Sequence, residues 1–161
     1  MDHYKTAQIC LNGHCVTSTA EKTQLLENFC SLCGARTITH CQSCSAPIRG
    51  YYSMDNVAMF CEYEVPNYCY NCGKPYPWTE SALQAAAELL ALDDNLTLDE
   101  SQLLVDALPD LLTETPKTQL AVAKFKKFLS SATQFTVDGV RQFAIDFGCA
   151  YVKSELSKLG L

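Results

Sequence analysis

The sequence predicts an α+β fold, in which a cysteine-rich half with short strands, residues 1–78, precedes an all-α half, residues 79–161. Nine of the ten cysteines lie in the first half. Short β-type runs at residues 51–52 and 57–60 lie among them. In the second half, apolar residues recur at the three- and four-residue spacing of amphipathic helices, which predicts about four helices.

Seven of the cysteines and one histidine fall into closely spaced pairs. The pairs are Cys10-x3-His14, Cys30-x2-Cys33, Cys41-x2-Cys44 and Cys69-x2-Cys72. Each pair can form a tight turn whose two ligand atoms point at one centre, and two facing turns make the tetrahedral, thiolate-rich site that zinc prefers. The count predicts two Zn²⁺ ions in two small consecutive zinc ribbons built from short β-hairpins.

Sequential pairing of these steps is the simplest arrangement, because each ribbon then closes a local loop at a smaller entropic cost. Site one, within residues 10–33, is then Cys10, His14, Cys30 and Cys33, and site two, within residues 41–72, is Cys41, Cys44, Cys69 and Cys72. A hairpin through residues 51–52 and 57–60 would absorb the long loop of site two. A crossed arrangement, joining the second pair to the third and the first to the fourth, is the alternative, and iron competes with zinc at the all-thiolate site.

Other residues of ligand type stay outside both sites in this interpretation. Cys15 is an alternative to His14, although the Cys-x3-His step makes the better turn. Cys61 is expected to be a free thiol, and Cys149 a helix residue in the core. His40 adjoins a ligand but is not needed as a fifth one.

Four protein ligands at each centre leave no coordination position for water or substrate, so both centres are predicted to be structural. The sequence contains no Ser-His-Asp set, paired-carboxylate motif or phosphate loop, and we expect a protein that is not an enzyme. Metal-type cysteine spacing, with no apolar leader after Met1, predicts a reduced, cytoplasmic compartment.

Helix start signals divide the second half. Thr79 is a predicted N-cap, Thr97-x-x-Glu100 a capping box, and Thr115 an N-cap before Pro116. Gly139 and Gly148 weaken the last predicted helix, which predicts a kink or a close helix contact there. The predicted helices cover about residues 80–92, 97–108, 116–132 and 137–158.

The net charge of −6 lies mostly in the helical half. Residues 93–114 contain seven acidic residues and no Lys or Arg. Nucleic-acid binding usually needs a basic stripe, which is not visible in this sequence. No stretch reaches the roughly 20 apolar residues of a membrane-spanning helix, so neither nucleic acid nor membrane is the expected partner.

The segments ICLNGHCVTS, FCSLCGARTITHCQSCSAPIRGYY and YCYNCGKPYPWTESAL, taken together, resemble an uncharacterised bacterial domain-of-unknown-function family. Its members are small proteins with a tandem zinc ribbon and a helical C-terminal region. The resemblance is close over about residues 3–90 and looser beyond. It implies the fold and the ligands at matching positions, and it implies no activity.

The expected function is a non-enzymatic adaptor or protein-interaction module with two structural zinc sites and an unidentified protein partner. Arg49, Tyr51 and Tyr52 form a possible contact surface, because arginine and tyrosine are enriched at binding hot spots. The alternatives are a nucleic-acid-associated zinc-ribbon protein, which would use Arg36, Arg49 and Lys74 with Tyr51 and Tyr52 for phosphate contact and base stacking, and a thiol-based redox protein that would use Cys15 or Cys61.

Overall fold

A computed structural model describes residues 3–54 and 62–158 and confirms the α+β class. The chain forms two compact units, Met1–Glu80 and Ser81–Leu161. The strands lie in the first unit. They are β1 (His3–Thr6), β2 (Gln8–Cys10), β3 (Cys15–Thr17), β4 (Thr37–Ile38) and β5 (Arg49–Ser53), with a 3-10 turn at Thr23–Leu25.

The strands of the first unit form two small antiparallel sheets. One has the order β3-β2-β4, and the other pairs β1 with β5. The first contains a hairpin, because β2 and β3 are consecutive and antiparallel. The second joins segments more than 40 residues apart. Strand β5 therefore pairs with the beginning of the chain, and the predicted partner, residues 57–60, lies outside the described residues.

A β-bulge in the β1–β5 pair decides which side chains share a face. Tyr4 lies opposite Tyr52, but Thr6 lies opposite Arg49 because the register shifts between them. Residues 4 and 6 of β1 point to the same side of the strand. The extra residue in β5 therefore brings Arg49 and Tyr52 to one face, although they are three positions apart.

Gly50 allows the close approach at this bulge. A Cβ atom built at Gly50 would lie 2.2 Å from the carbonyl oxygen of Ser18 and 2.9 Å from the carbonyl carbon of Thr6. The N–H of the next residue, Tyr51, donates to the same Ser18 oxygen at 2.9 Å. Three backbone segments thus approach closely here because glycine has no side chain.

The core of the first unit is small and combines apolar packing with one buried amide. Ile9 and Ile48 are fully buried, and the Tyr76 and Trp78 rings stack with centroids 4.7 Å apart. Gln8 is also buried. Its amide nitrogen donates to the Glu27 carbonyl and the Thr37 hydroxyl, both at 2.8 Å, and its oxygen accepts from the Glu27 N–H at 3.0 Å. These bonds satisfy a polar group whose burial would otherwise be costly.

Six α-helical segments occur in the described part of the chain, against about four predicted. They are α1 (Pro77–Ala91), α2 (Leu98–Ala107), α3 (Pro109–Leu112), α4 (Thr118–Phe128), α5 (Gln134–Phe147) and α6 (Ala150–Lys158). Pro109 ends α2 and starts the short α3. Gly148 is extended, with ψ 148°, and divides the predicted last helix into α5 and α6.

The cap predictions had mixed outcomes. The Thr97–Glu100 capping box is confirmed in both directions. The Thr79 prediction is wrong, because α1 begins at Pro77 and the buried Thr79 hydroxyl donates to the Asn67 carbonyl at 2.9 Å. The Thr115 prediction is also wrong. A turn closed by Thr118 N–H to Thr115 O, at 3.0 Å, comes before α4, which begins at Thr118 itself.

No helix among residues 3–54 and 62–158 combines the length and the apolar character that crossing a bilayer requires.

Hydrogen bonds to the Asp93 carboxylate connect the loop after α1 to the start of α5. One carboxylate oxygen accepts from the Thr133 N–H at 2.8 Å and its hydroxyl at 2.7 Å, and the other accepts from the Asn95 N–H at 2.9 Å. A hydrogen bond from the Thr136 side chain, together with those from Thr133 and Asn95, lowers the pKa of the buried Asp93 carboxyl to about 2. A depressed folded-state pKa adds stability above the unfolded value near 3.8, and acidification removes it.

We expect Asp93→Asn to lower the unfolding free energy of the helical unit by about 2 kcal/mol at pH 7. The difference from wild type should shrink as the pH falls from about 5 to 2, because protonation removes the same contribution from wild type. Thermal unfolding followed by circular dichroism at 222 nm measures it. Asp94→Asn, at the exposed neighbouring position, is the control. A difference that does not depend on pH would contradict the assignment.

Candidate metal centres

The three Cys-x2-Cys steps fold into the same backbone turn. In each, the N–H of the first cysteine donates to the carbonyl five residues later, at 2.8 to 2.9 Å, and its own carbonyl accepts from the residue four later at similar distances. An isolated β-bridge flanks each turn, at Phe29–Arg36, His40–Pro47 and Tyr68–Pro75. The same turn therefore occurs three times, because the cysteine spacing and these backbone hydrogen bonds recur together.

The residue after the second cysteine has a positive φ in all three turns. Gly34 has φ 72° and Gly73 has φ 71°, whereas the second turn carries Ser45 at φ 60°. Left-handed backbone is costly for residues with a Cβ and nearly free for glycine. The second turn thus carries strain that the other two avoid.

Ser45→Gly should raise the unfolding free energy of the metal-loaded protein by roughly 0.5–1 kcal/mol, because it relieves the left-handed backbone. Gly34→Ser is the reciprocal control and should lower stability by a similar amount. A Cβ at Gly34 meets nothing within 4 Å, so only its φ is penalised. Urea unfolding of both zinc-loaded variants measures the effect. An unchanged or lower stability of Ser45→Gly would contradict it.

Site one lies between the three-stranded sheet and the first Cys-x2-Cys turn. β2 ends at Cys10, and β3 starts immediately after His14, so a tight turn with Gly13 at φ 89° places both ligands. The ligand atoms of Cys10, His14, Cys30 and Cys33 all lie within 4.8 Å of one another. The two cysteine pairs of site two are grouped equally closely. The observed grouping is therefore sequential rather than crossed.

The distances within site one fit a tetrahedral zinc ion. The Cys10 and Cys33 sulfurs are 3.8 Å apart, and His14 Nδ1 lies 3.5 Å from Cys10 Sγ and 3.7 Å from Cys30 Sγ. Zinc bonds of about 2.3 Å to sulfur and about 2.0 Å to nitrogen would separate sulfurs by about 3.8 Å and sulfur from nitrogen by about 3.5 Å. Disulfide sulfurs, at about 2.05 Å, would be far closer.

Site two has the same dimensions with four sulfurs. Cys41 and Cys72 sulfurs are 3.8 Å apart, and Cys44 and Cys69 sulfurs are 3.6 Å apart. Cys41 and Cys69 are buried, so the centre lies on the inner side of its two Cys-x2-Cys turns. When bound, zinc would hold two distant chain segments together and would have no open coordination position.

Hydrogen bonds to the Cys33 and Cys44 sulfurs favour their thiolate forms, whereas burial raises the pKa of the Cys10 thiol. The backbone N–H of Ala35 and then the Asn12 amide, 3.4 Å from Cys33 Sγ, lower the pKa of Cys33 to about 6. In site two, the Asn71 side chain is the largest influence that lowers the pKa of Cys44. In each site, an asparagine between two ligands therefore donates to a sulfur of the opposite turn, which suits a negative metal-bound sulfur.

The remaining residues of ligand type do not join these groups. Although Cys15 is exposed as a residue, partial desolvation raises the pKa of its thiol, which disfavours the reactive thiolate. His40 is exposed and lies outside the two groups. Cys149 also lies outside them, and its prediction as a core residue of a helix is wrong, because it is half-buried between α5 and α6. Cys61 lies outside the described residues.

Two of the three predicted contact residues, Arg49 and Tyr52, lie on a larger aromatic surface, whereas Tyr51 is not part of it. The Arg49 guanidinium carbon is 4.6 Å from the Tyr4 ring centroid and 4.0 Å from that of Tyr70, and the Tyr4 and Tyr52 centroids are 4.8 Å apart. These tyrosines remain 42–49% exposed. Tyr51 is half-buried. We call Tyr4, Arg49, Tyr52 and Tyr70 the arginine–tyrosine face.

Sequence reasoning missed Tyr4 and Tyr70. Tyr70 had a signal, because it lies between the site-two ligands Cys69 and Cys72 in a turn that exposes its central residues. Tyr4 had none, since only the distant β1–β5 pairing brings it beside Tyr52.

The fold and its centres define an α+β protein with two four-ligand clusters consistent with tandem zinc sites, followed by a helical unit. A family model described as "Uncharacterized protein conserved in bacteria (DUF2321)" matches residues 3–156, and the chain belongs to this family. Neither a curated protein nor a solved structure matches the chain.

Proposed function

We propose that this protein is a non-enzymatic adaptor that binds a protein partner through the arginine–tyrosine face, in the reducing environment of the cytoplasm. The position of Tyr70 supports this proposal most strongly. Its ring lies 4.0 Å from the Arg49 guanidinium, and it stands between two site-two ligands. Metal binding at site two therefore orders the turn that presents one side of the face.

The chemistry of the face suits protein recognition. Tyrosine offers a large contact area at a low cost in side-chain entropy, and arginine and tyrosine are enriched at hot spots. Stacking against Tyr4 and Tyr70 holds the arginine in place, so less entropy is lost when a partner binds. Two closed metal centres supply rigidity instead of reactivity, which supports an adaptor over an enzyme.

Quantitative affinity purification of tagged full-length chain from a bacterial host would test the proposal. The variants are Arg49→Ala, Tyr52→Ala and the control Leu98→Ala, whose side chain is exposed on α2, away from this face in sequence. A protein retained by wild type and Leu98→Ala, and lost with both face variants, is the expected result. Purified partner should then bind the face variants at least about tenfold more weakly. The same proteins retained by all variants would contradict the proposal.

The same face is where the nucleic-acid alternative would act, since arginine and tyrosine also contact phosphates and stack on bases. A gel-shift experiment with single-stranded DNA and RNA at low salt separates the two functions. The adaptor proposal expects no shift. A shift that Arg49→Ala abolishes would favour the alternative instead.

A further inference from the structure

The helical unit contains a cavity of about 360 Å³ that is separate from both metal centres. Its volume lies within the range of small-molecule sites. The walls are almost wholly apolar, and three helices contribute to them at helical spacing. Representative wall residues are Val122 and Phe125 of α4, Leu129 at its C-cap, Val140 and Ala144 of α5, and Val152 of α6. Apolar walls with a few polar groups at their edge are typical of small-molecule sites.

Each of these helices also contributes one charged residue to the lining: Lys126, Arg141 and Glu155. Glu155 is already paired twice, with Lys126 at 2.8 Å and with Lys158 at 2.7 Å. Arg141 is exposed and forms no ion pair or hydrogen bond with any residue of the described chain. One cation beside an apolar cavity is therefore uncompensated.

This local charge is opposite to that of its surroundings. Residues 81–161 contain eleven acidic and seven basic residues, yet the charged groups at the cavity leave an excess of positive charge. A guanidinium pairs best with a planar carboxylate, to which it can donate two parallel hydrogen bonds. A neutral ligand can accept only a weaker hydrogen bond from Arg141, and a cationic ligand is repelled by it.

We propose that the cavity binds an amphipathic monocarboxylate with an unbranched aliphatic tail. The tail lies among the apolar side chains of α4, α5 and α6, and the carboxylate pairs with Arg141. This site acts independently of the arginine–tyrosine face and does not depend on the adaptor function.

Decanoate is the probe, titrated into delipidated, zinc-loaded full-length protein and followed by methyl NMR. We expect shifts at Val122, Ala144 and Val152. Decan-1-ol and decyltrimethylammonium carry the same tail with no charge and with the opposite charge. Decanoate should bind about tenfold more tightly than the alcohol, which corresponds to one charge-assisted contact.

Two substitutions separate the charge from the cavity. Arg141→Gln, at an exposed position that should not affect folding, should reduce decanoate affinity to that of decan-1-ol and leave the alcohol unchanged. Ala144→Leu, which fills the cavity, should weaken all three ligands. Lys127→Gln changes a lysine beside Lys126 that does not line the cavity, and should change nothing.

Three results would overturn the proposal. The first is the absence of any shift at millimolar decanoate. The second is equal affinity for the three ligands, or for wild type and Arg141→Gln. The third is binding that occurs only after deletion of residues 159–161, because the chain's own end would then be the occupant.

Discussion

Chelation of zinc at neutral pH is expected to unfold the first unit while helical signal from the second unit persists. A structural zinc site contributes about 10–16 kcal/mol of apparent binding free energy to folding in small zinc domains. The first unit has few fully buried apolar residues to offset such a loss. Near-UV circular dichroism should lose the signal of the stacked Tyr76–Trp78 pair, and far-UV circular dichroism at 222 nm should fall only in part.

Single cysteine substitutions test zinc binding at one site at a time. Cys69→Ser should reduce the metal content from about two zinc ions per chain to about one, because it removes a buried ligand of site two. Cys15→Ser, outside both groups, should retain two. Elemental analysis by mass spectrometry measures the ratio and distinguishes iron from zinc. A wild-type value of one metal ion per chain would contradict the two-site assignment.

Gly50→Ala should be strongly destabilising, with a loss of about 3 kcal/mol or more. Its Cβ would lie 2.2 Å from a backbone oxygen and 2.9 Å from a backbone carbon, and no rotamer change can relieve such contacts. The β1–β5 pair must separate, which also disrupts the arginine–tyrosine face.

Gly34→Ala is the matched control, since the added Cβ has open space and only the positive φ is penalised, at a cost of about 1 kcal/mol. Denaturant unfolding of zinc-loaded protein compares the two glycines. A Gly50→Ala variant within about 1 kcal/mol of wild type would show that the strands separate without consequence.

Local sequence signals predicted the features that neighbouring residues determine. The cysteine spacing and the glycines after it predicted the Cys-x2-Cys turns. Thr97 and Glu100 predicted the start of α2. Ser45 breaks the glycine pattern, yet its turn has the same backbone bonds as the others. Backbone geometry imposed by the ligands therefore outweighs the preference of the single residue.

Features that depend on distant pairing were beyond the sequence. Nothing local indicates that β5 pairs with β1, or that a bulge at Gly50 places Arg49 and Tyr52 on one face. The cavity in the helical unit was also hidden. Spacing shows which residues of one helix share a face, but it does not show how completely several such faces fill the space between them.

The distance along the chain between β1 and β5 also sets an order of events during synthesis. Site one has all four ligands once Cys33 has been made, whereas β1 stays unpaired until Ser53 has emerged. Local contacts form before distant ones, because closing a long loop costs more entropy. We therefore expect the growing chain to be able to bind its first metal ion while the edge of β1 is still unpaired.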